Sequence, residues 1–548
     1  MDLIDDPIPP DGFQQEPPQL GDPYREDALL RSVLHRLLGD DLLHAVEPAL
    51  ERMSSLATRE IRAWGDEAEA HPPVHVPYDP WGRRIDRVET ARGWRRLHDL
   101  SAREGLVALA YERPWGARSR IVQHALLYLF HPSAATYLCP LAMTDGAAHL
   151  LETTPEAAEP RRRALERLTS RDPERFWTSG QWMTELSGGS DVATTETVAR
   201  QVAGDPGWAL WGTKWFTSAV DSDVALTLAR PEGAASGSRG LALYYLELRR
   251  DDGSLQGIRI RRLKDKLGTR ALPTAELELA GVPAWTIGET GEGVRRIADM
   301  MNVTRIYNTN AAVSAMRRAV ALAEDYAGRR MAFGRRLADQ PLHRRTLDDL
   351  HAEVAVGLVL LFRAVELQGR TQTGEASADE GAVLRLVTPL VKLYTGRQAV
   401  AVTSEALECF GGVGYVEDSG IPRLLRDAQV LPIWEGTTNV LSLDALRAVA
   451  REGALDPFLE DLEERLRRVS EADLAAGSRR WIERLPALRD SVLRAAEKEP
   501  EAARRVAFDL TRGLAASLLL EQIEWARTND PATMAPWRRA LDHLARLV

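Results

Sequence analysis

Between Asp27 and about His149, apolar residues recur at spacings of three and four, the period of helices that bury one stripe. REDALLRSVLHRLLG, closing on a glycine, LLHAVEPALERMSSLATREIRAW and IVQHALLYLF carry it most clearly. ETTPEAAEPRRR breaks the pattern and reads as a loop. From about Gln181 the period shortens. WALWGTKWFTS, VALTLAR, LALYYLEL, IRIRRL and TAELELAGV are short runs of apolar and β-favouring residues. Turn-forming stretches such as PEGAASGSRG and RRDDGS separate them. At GEGVRRIADMM the helical spacing returns and holds to about Arg451, interrupted by RTQTGEASADEG. Five parts are predicted: a Pro-rich acidic tail (1–23), an N-terminal helical domain (24–180), a middle β domain (181–286), a C-terminal helical domain (287–451) and an additional helical domain (452–548). Helices, then strands, then helices make an α+β chain. A doubly wound nucleotide fold would alternate them.

Composition narrows the class. The chain has 548 residues, too many for one core, and 44% hydrophobic with 27% charged residues is ordinary for a globular protein. Cys139 and Cys409 are the only cysteines, so no disulfide framework or cysteine-based zinc site is expected. MDLIDDPIPP is acidic where a secretory leader needs positive charge, and no run of about 18 apolar residues occurs. A cytoplasmic protein with no membrane span and no metal is the expectation. A formal charge of −10 argues against wholesale nucleic-acid binding. Arginine makes up 65 of the 70 basic residues, so pairs such as Arg329-Arg330 or Arg538-Arg539 say little about phosphate contacts.

Familiar catalytic signatures are missing: there is no GxxxxGK[ST], HExxH or GxSxG. GEGVRR has two of three dinucleotide glycines but follows the β runs, and reads as a helix start. Other stretches carry more. MTELSGGSDVATTE (183–196) offers hydroxyls and two glycines, which permit close backbone approach to a ligand; a plain polar loop is the alternative. KWFTS (214–218) sets two aromatics beside two hydroxyls on a strand, suited to one face and edge of a planar ring or simply to a β core. ECFGGVGY (408–415) is a helix-breaking turn or an anion loop, and RMAFGRR (330–336) a basic aromatic turn or a solvated helix end. In PIWEGTTNV (432–440), Glu435 is either a helix-start acid or a catalytic base.

Taken in order, MTELSGGSDV, KWFTS, RMAFGR, FGGVGY, RDA and IWEGTTN resemble the acyl-CoA dehydrogenase superfamily over residues of about 90–450. YDPWGRRIDRVE, ALLYLFHP, LCPLAMTDGAAHLL and the helices after 450 resemble its AidB-type adaptive-response branch. The resemblance implies an N-terminal helical domain, a middle β-barrel, a C-terminal four-helix domain and an extra C-terminal helical block. It implies FAD, contacted by Met183, Thr184, Gly189 and Ser190 of the loop and by Phe216, Thr217 and Ser218 of the strand. Arg330, Phe333, Gly411 and Gly412 match the pieces that hold the pyrophosphate and adenosine, partly across a subunit boundary, so a homo-oligomer, typically a tetramer, is implied. Thr437 and Asn439 close the site beside Glu435, which matches the base that takes the α-proton of an acyl thioester while hydride leaves the β-carbon for flavin N5. Ser190 and Arg305 match substrate-side positions, and an electron-acceptor protein or oxygen is the implied oxidant. Glu408, Asn439 and Pro341 stand where many members carry glutamine, which leaves the substrate less tied to a CoA ester.

Two other readings accompany this one. The branch raises DNA binding by a flavin-bearing protective protein, yet residues 451–548 hold 17 basic against 18 acidic side chains. A flavin oxidase of nitroalkanes or amines is the third.

Overall fold

The computed structural model describes residues 16–154 and 160–547; residues 1–15 of the expected tail and 155–159 of ETTPEAAEPRRR lie outside the described residues. The N-terminal part comprises α1 (Ala28–Thr58), α2 (Glu60–Ala70), a hairpin of β1 (Val74–Tyr78) and β2 (Arg84–Glu89), α3 (Arg92–Arg103), α4 (Leu109–Glu112), α5 (Arg118–Phe130), α6 (Leu138–Glu152) and α7 (Arg161–Leu168). Gly39, at φ 74° and ψ 170°, interrupts α1 where REDALLRSVLHRLLG ends. Two expectations are corrected here. The hairpin lies inside a stretch read as helical, and Arg161–Arg163, read as loop, open α7, whose Ala164 and Leu168 are buried one turn apart.

The middle part holds β3 (Ser179–Gln181), β4 (Val198–Gln201), β5 (Trp208–Ser218), β6 (Val224–Pro231), β7 (Ala242–Glu247), β8 (Ile258–Leu263) and β9 (Thr274–Ile287). Its strands run in the order β3-β6-β4-β5-β9-β7, β8 pairs β9, and β6 also pairs β7. That last pairing closes β6, β4, β5, β9 and β7 into a barrel, with β3 and β8 each paired on one side only. Inside are Leu210, Ala225, Tyr244, Leu246, Ile260 and Leu277, from inward-facing positions on five strands.

The C-terminal part is built on α8 (Gly293–Arg329), a tight hairpin of β10 (Met331–Ala332) and β11 (Arg335–Arg336), α9 (Pro341–Gln372), α10 (Ala378–Glu408), α11 (Ile421–Ala428) and α12 (Thr438–Glu452). Pro341 sits in the first turn of α9, where its missing N–H is not needed. Ser377 and Glu380 form a capping box that starts α10, so only 373–377 of RTQTGEASADEG lie between helices. α8, α9, α10 and α12 pack as four long helices, with α6 against α8. α13 (Leu455–Arg467), α14 (Ala472–Glu497), α15 (Ala503–Asn529) and α16 (Met534–Arg546) pack on α9, α10 and α12 and reach back to α1. Arg36 of α1 donates to Gln522 over 2.6 Å, and Ser32 meets Thr533 at 3.1 Å. This is the α+β architecture of three parts plus an additional helical block. Among the described residues no helix is long and apolar enough to cross a membrane.

Candidate active site

Glu435 lies in the turn between α11 and α12 at φ 58°, a left-handed conformation that costs an L-residue roughly 1–2 kcal/mol. Surrounding contacts hold it there. Trp434 Nε1 donates to Asn308 Oδ1 at 2.5 Å, and Asn308 Nδ2 donates to Leu431 O at 3.1 Å, tying the turn to α8. Thr437 caps α12, its hydroxyl oxygen accepting from Val440 N at 3.5 Å. The helix-start role in PIWEGTTNV falls to Thr437, which leaves the carboxylate two residues earlier free of that task.

The Glu435 carboxylate is held by its own C-terminal part and by the middle one. Its Oε2 accepts from Thr304 Oγ1 of α8 at 2.6 Å and from Gln181 Nε2 of β3 at 3.4 Å. It opens on a narrow cavity of about 30 Å³ whose walls include Leu138, Cys139, Ala142, Met143, Tyr307, Ala311 and Trp434. Burial disfavours charge on the Cys139 and His131 side chains of this lining. It pushes the Cys139 thiol up to about 12, with Glu435 adding to the effect, and pulls His131 down to about 4. None of the residues lining this cavity comes from 452–548.

Two of the sequence motifs are joined side by side. Trp215 N of KWFTS donates to Thr184 O of MTELSGGSDV at 3.0 Å. Lys214 Nζ and Glu185 Oε1, both buried, pair at 2.7 Å, and Glu185 also accepts from Glu196 N at 2.6 Å and Thr197 Oγ1 at 2.5 Å. The loop is therefore a braced structure. Met183 is buried, Thr184 half-buried, and Gly189 and Ser190 are exposed. A Cβ on Gly189 would lie 3.0 Å from the Thr184 hydroxyl, so a larger residue there would push the Thr184 side chain aside by a few tenths of an ångström. Phe216 turns its ring outward, 55% exposed, and Ser218 Oγ reaches Thr274 Oγ1 at 3.2 Å. Thr217 is buried and donates its hydroxyl to Ala275 O at 2.6 Å, within the barrel wall.

The remaining pieces gather elsewhere. Phe333 and Gly334 form the two-residue tip of the β10–β11 hairpin, both at positive φ, and Phe333 is 96% exposed. Gly411 and Gly412 are exposed in a short 3₁₀ turn after α10, with open space where a side chain would be. The Tyr326 and Phe410 rings, 4.9 Å apart, bring the α8 end that carries Arg330 beside this turn. Neither group reaches the Glu435 cavity, and Thr437 and Asn439 are exposed at its outer side. Arg305 turns inward: Nη1 pairs with Asp444 Oδ2 at 2.9 Å, and Nε donates to Glu435 O at 3.2 Å.

The side chains of the loop and strand are of the kinds a flavin would need. Phe216 offers an exposed aromatic ring, Thr184, Ser190 and Ser218 offer hydroxyls, and Gln181 Oε1, beside Glu435, is buried with no hydrogen-bond partner among the described residues. Thr304, Gln181, Asn308, Tyr307 and Cys139 are site residues that sequence reading missed. Thr304, Asn308 and Ala311 follow a helical i, i+4, i+7 stripe in NVTRIYNTNAA, a signal that becomes legible once one of them is known to face the cavity.

The AidB N-terminal domain model of adaptive response proteins matches residues 14–172, the acyl-CoA dehydrogenase middle domain 180–282 and the acyl-CoA dehydrogenase C-terminal domain 291–450. The chain belongs to the acyl-CoA dehydrogenase family, which binds FAD, and it carries the AidB-type N-terminal domain. It is 43% identical to acyl-CoA dehydrogenase family member 11 of Caenorhabditis elegans over 529 residues, 93% of this chain and 85% of that protein. The putative acyl-CoA dehydrogenase AidB of Escherichia coli (strain K12) is 33% identical over 416 residues, 74% of each chain. In structure, C. elegans ACDH-11 in complex with C11-CoA superposes with TM-score 0.94 at 41% identity, covering 98% of this chain and 93% of that one. The apo form of Bd2924 superposes with TM-score 0.88 at 50% identity, covering 93% and 99%.

Proposed function

We propose that the protein is an FAD-dependent acyl-CoA dehydrogenase and that Glu435 is its base. The observation that carries this is the Glu435 carboxylate, held by Thr304 and Gln181 at the mouth of an apolar cavity. An acyl chain entering from this side, with the cavity of about 30 Å³ widening to take it, would bring its α-carbon against the carboxylate. Glu435 takes the α-proton as the C–H electron pair becomes the new C=C bond, and a hydride leaves the β-carbon, giving an α,β-unsaturated thioester. Met183, Thr184, Gly189, Ser190, Phe216, Thr217 and Ser218 would hold FAD, which when bound would supply the acceptor for that hydride. Tyr307, Met143, Ala142 and Trp434 exclude water, which keeps the proton on Glu435 rather than in solvent. The C11-CoA complex of ACDH-11 favours an acyl-CoA of medium length as substrate.

Phe333, Leu342 and Tyr415 are more than four-fifths exposed, and Val413 and Val416 lie close to Tyr415 in sequence. Such an apolar surface around the β10–β11 hairpin and the FGGVGY turn favours a homo-oligomer in which Arg330, Phe333, Gly411 and Gly412 meet a neighbouring subunit's cofactor. A DNA-binding reading draws little from the C-terminal helices. Arg465, Arg467, Arg468 and Arg538 each pair with a carboxylate of the same block, and Arg539 with Asp348.

Anaerobic titration of the flavin with acyl-CoA esters of increasing chain length tests the proposal. The yellow protein is expected to bleach. Glu435→Gln keeps its colour and loses about 10²–10⁴-fold in reduction rate. Full-speed bleaching of that variant would remove Glu435 as the base.

A further inference from the structure

Glu435 and Gly436 are consecutive residues with positive φ, 58° and 106°, and a different buried cation takes the carbonyl oxygen of each. Arg305 Nε, from α8, donates to Glu435 O at 3.2 Å. Lys392 Nζ, from α10, donates to Gly436 O at 2.6 Å. Arg305 has its counter-charge in Asp444, whose other oxygen is held by Arg385 at 2.8 Å. Lys392 has none. It is wholly buried, and among the described residues its one hydrogen bond is to the Gly436 carbonyl and it forms no ion pair. Methionine or leucine would fill such a place without burying an ammonium, so packing alone does not account for a lysine here. Burial lowers the ammonium to about 7, with Glu435 acting to raise it and Arg305 to lower it. In either protonation state Nζ keeps N–H donors, so the bond to Gly436 does not depend on the charge.

We propose that Lys392 is a positioning residue for Glu435: with Arg305 it clamps two successive carbonyls of the turn from two helices, and so aims the carboxylate. This rests on the reading of Glu435 as the base. A turn with two left-handed residues can relax by rotating the peptide plane between them, and that rotation carries the Glu435 side chain with it. Anchoring both carbonyls blocks the rotation. A displacement of about 1 Å at a reacting group is enough to cost about 100-fold in rate.

The test uses flavin-loaded protein with Lys392→Met, Lys392→Gln and Lys392→Arg, each alone, and Lys392→Met combined with Glu435→Gln. In K392M, kcat for the acyl-CoA is expected to fall about 10- to 100-fold with KM within about threefold, flavin content unchanged, and K392R to restore most of the rate. Amide hydrogen exchange over residues 433–438 should quicken about tenfold or more in K392M. Adding K392M to E435Q should cost nothing further, because the clamp acts only through the carboxylate. Unchanged kcat with unchanged exchange overturns the proposal. So does an equal proportional loss in the E435Q background, or failure of all three single variants to fold, each of which assigns Lys392 a general structural role. Should the wild-type flavin not respond to any acyl-CoA, the reading of Glu435 falls, and the exchange measurement still decides the clamp.

Discussion

Thr304 donates its hydroxyl to Glu435 Oε2 across 2.6 Å, although the two residues are 131 positions apart. The bond fixes which way the carboxylate faces, because Thr304 is carried on the rigid α8 and not on the turn. Thr304→Val keeps the shape and removes the donor. Hydrogen bonds to charged groups are worth about 1.5–3 kcal/mol, so single-turnover flavin reduction should slow about 10- to 100-fold at unchanged flavin content. Thr304→Ser, which keeps the hydroxyl, should stay within a few-fold of wild type.

Lys214 and Glu185 tie the KWFTS strand to the MTELSGGSDV loop through a buried 2.7 Å ion pair. Lys214→Met leaves the Glu185 carboxylate buried without its cation, a loss of about 3–5 kcal/mol in denaturant unfolding. Because Glu185 braces the proposed flavin loop, the purified variant should also show a lower ratio of visible to ultraviolet absorbance. Equal flavin retention would separate the ion pair from cofactor binding.

Asp145 is wholly buried and accepts from Arg120, from Tyr111 and Tyr307 hydroxyls at 2.7 Å each, and from Gln123 at 2.9 Å. Arg120 and these donors hold its carboxyl below the usual range against the opposing effect of burial. Asp145→Asn strands the Arg120 charge and should cost about 3–5 kcal/mol in unfolding free energy. Tyr307 also lines the Glu435 cavity, so KM for acyl-CoA should rise in the same variant.

His543 joins α16 to α9, with Nε2 at 2.8 Å from Glu353 and Nδ1 at 3.1 Å from Asp349. The hydrogen bond to Glu353, with Asp349 assisting, raises the imidazole above its ordinary 6.5. A raised value means the folded state binds the proton more tightly. The stabilisation is therefore complete below about pH 6.5 and is lost as pH climbs through the folded-state value. Melting temperatures at about pH 6 and pH 8.5 should differ more for wild type than for His543→Gln.

Strand legibility followed burial. β5 coincides with WALWGTKWFTS and β8 with IRIRRL; β8 alternates buried and exposed residues, the pattern one covered face writes into the sequence, while β5 is marked by its run of apolar and β-favouring residues. The β1–β2 hairpin has only Asp86 buried, so it carries no apolar period to read. β3 and β4, at three and four residues, are shorter than any periodic signal. The start of α7 hid in a run of arginines, its buried stripe being only Ala164 and Leu168.

By itself the sequence determined the α–β–α order and the family motifs, and it singled out Glu435 as the proposed base, since each depends on residues close together along the chain. The tertiary structure alone decided what surrounds that acid. Thr304 and Gln181 on its carboxylate, Lys392 and Arg305 on its backbone and Asn308 on Trp434 come from three separate elements. Those contacts exist only because α8, α10 and β3 converge on one turn, and local periodicity records which face of an element is buried but not which partner it meets.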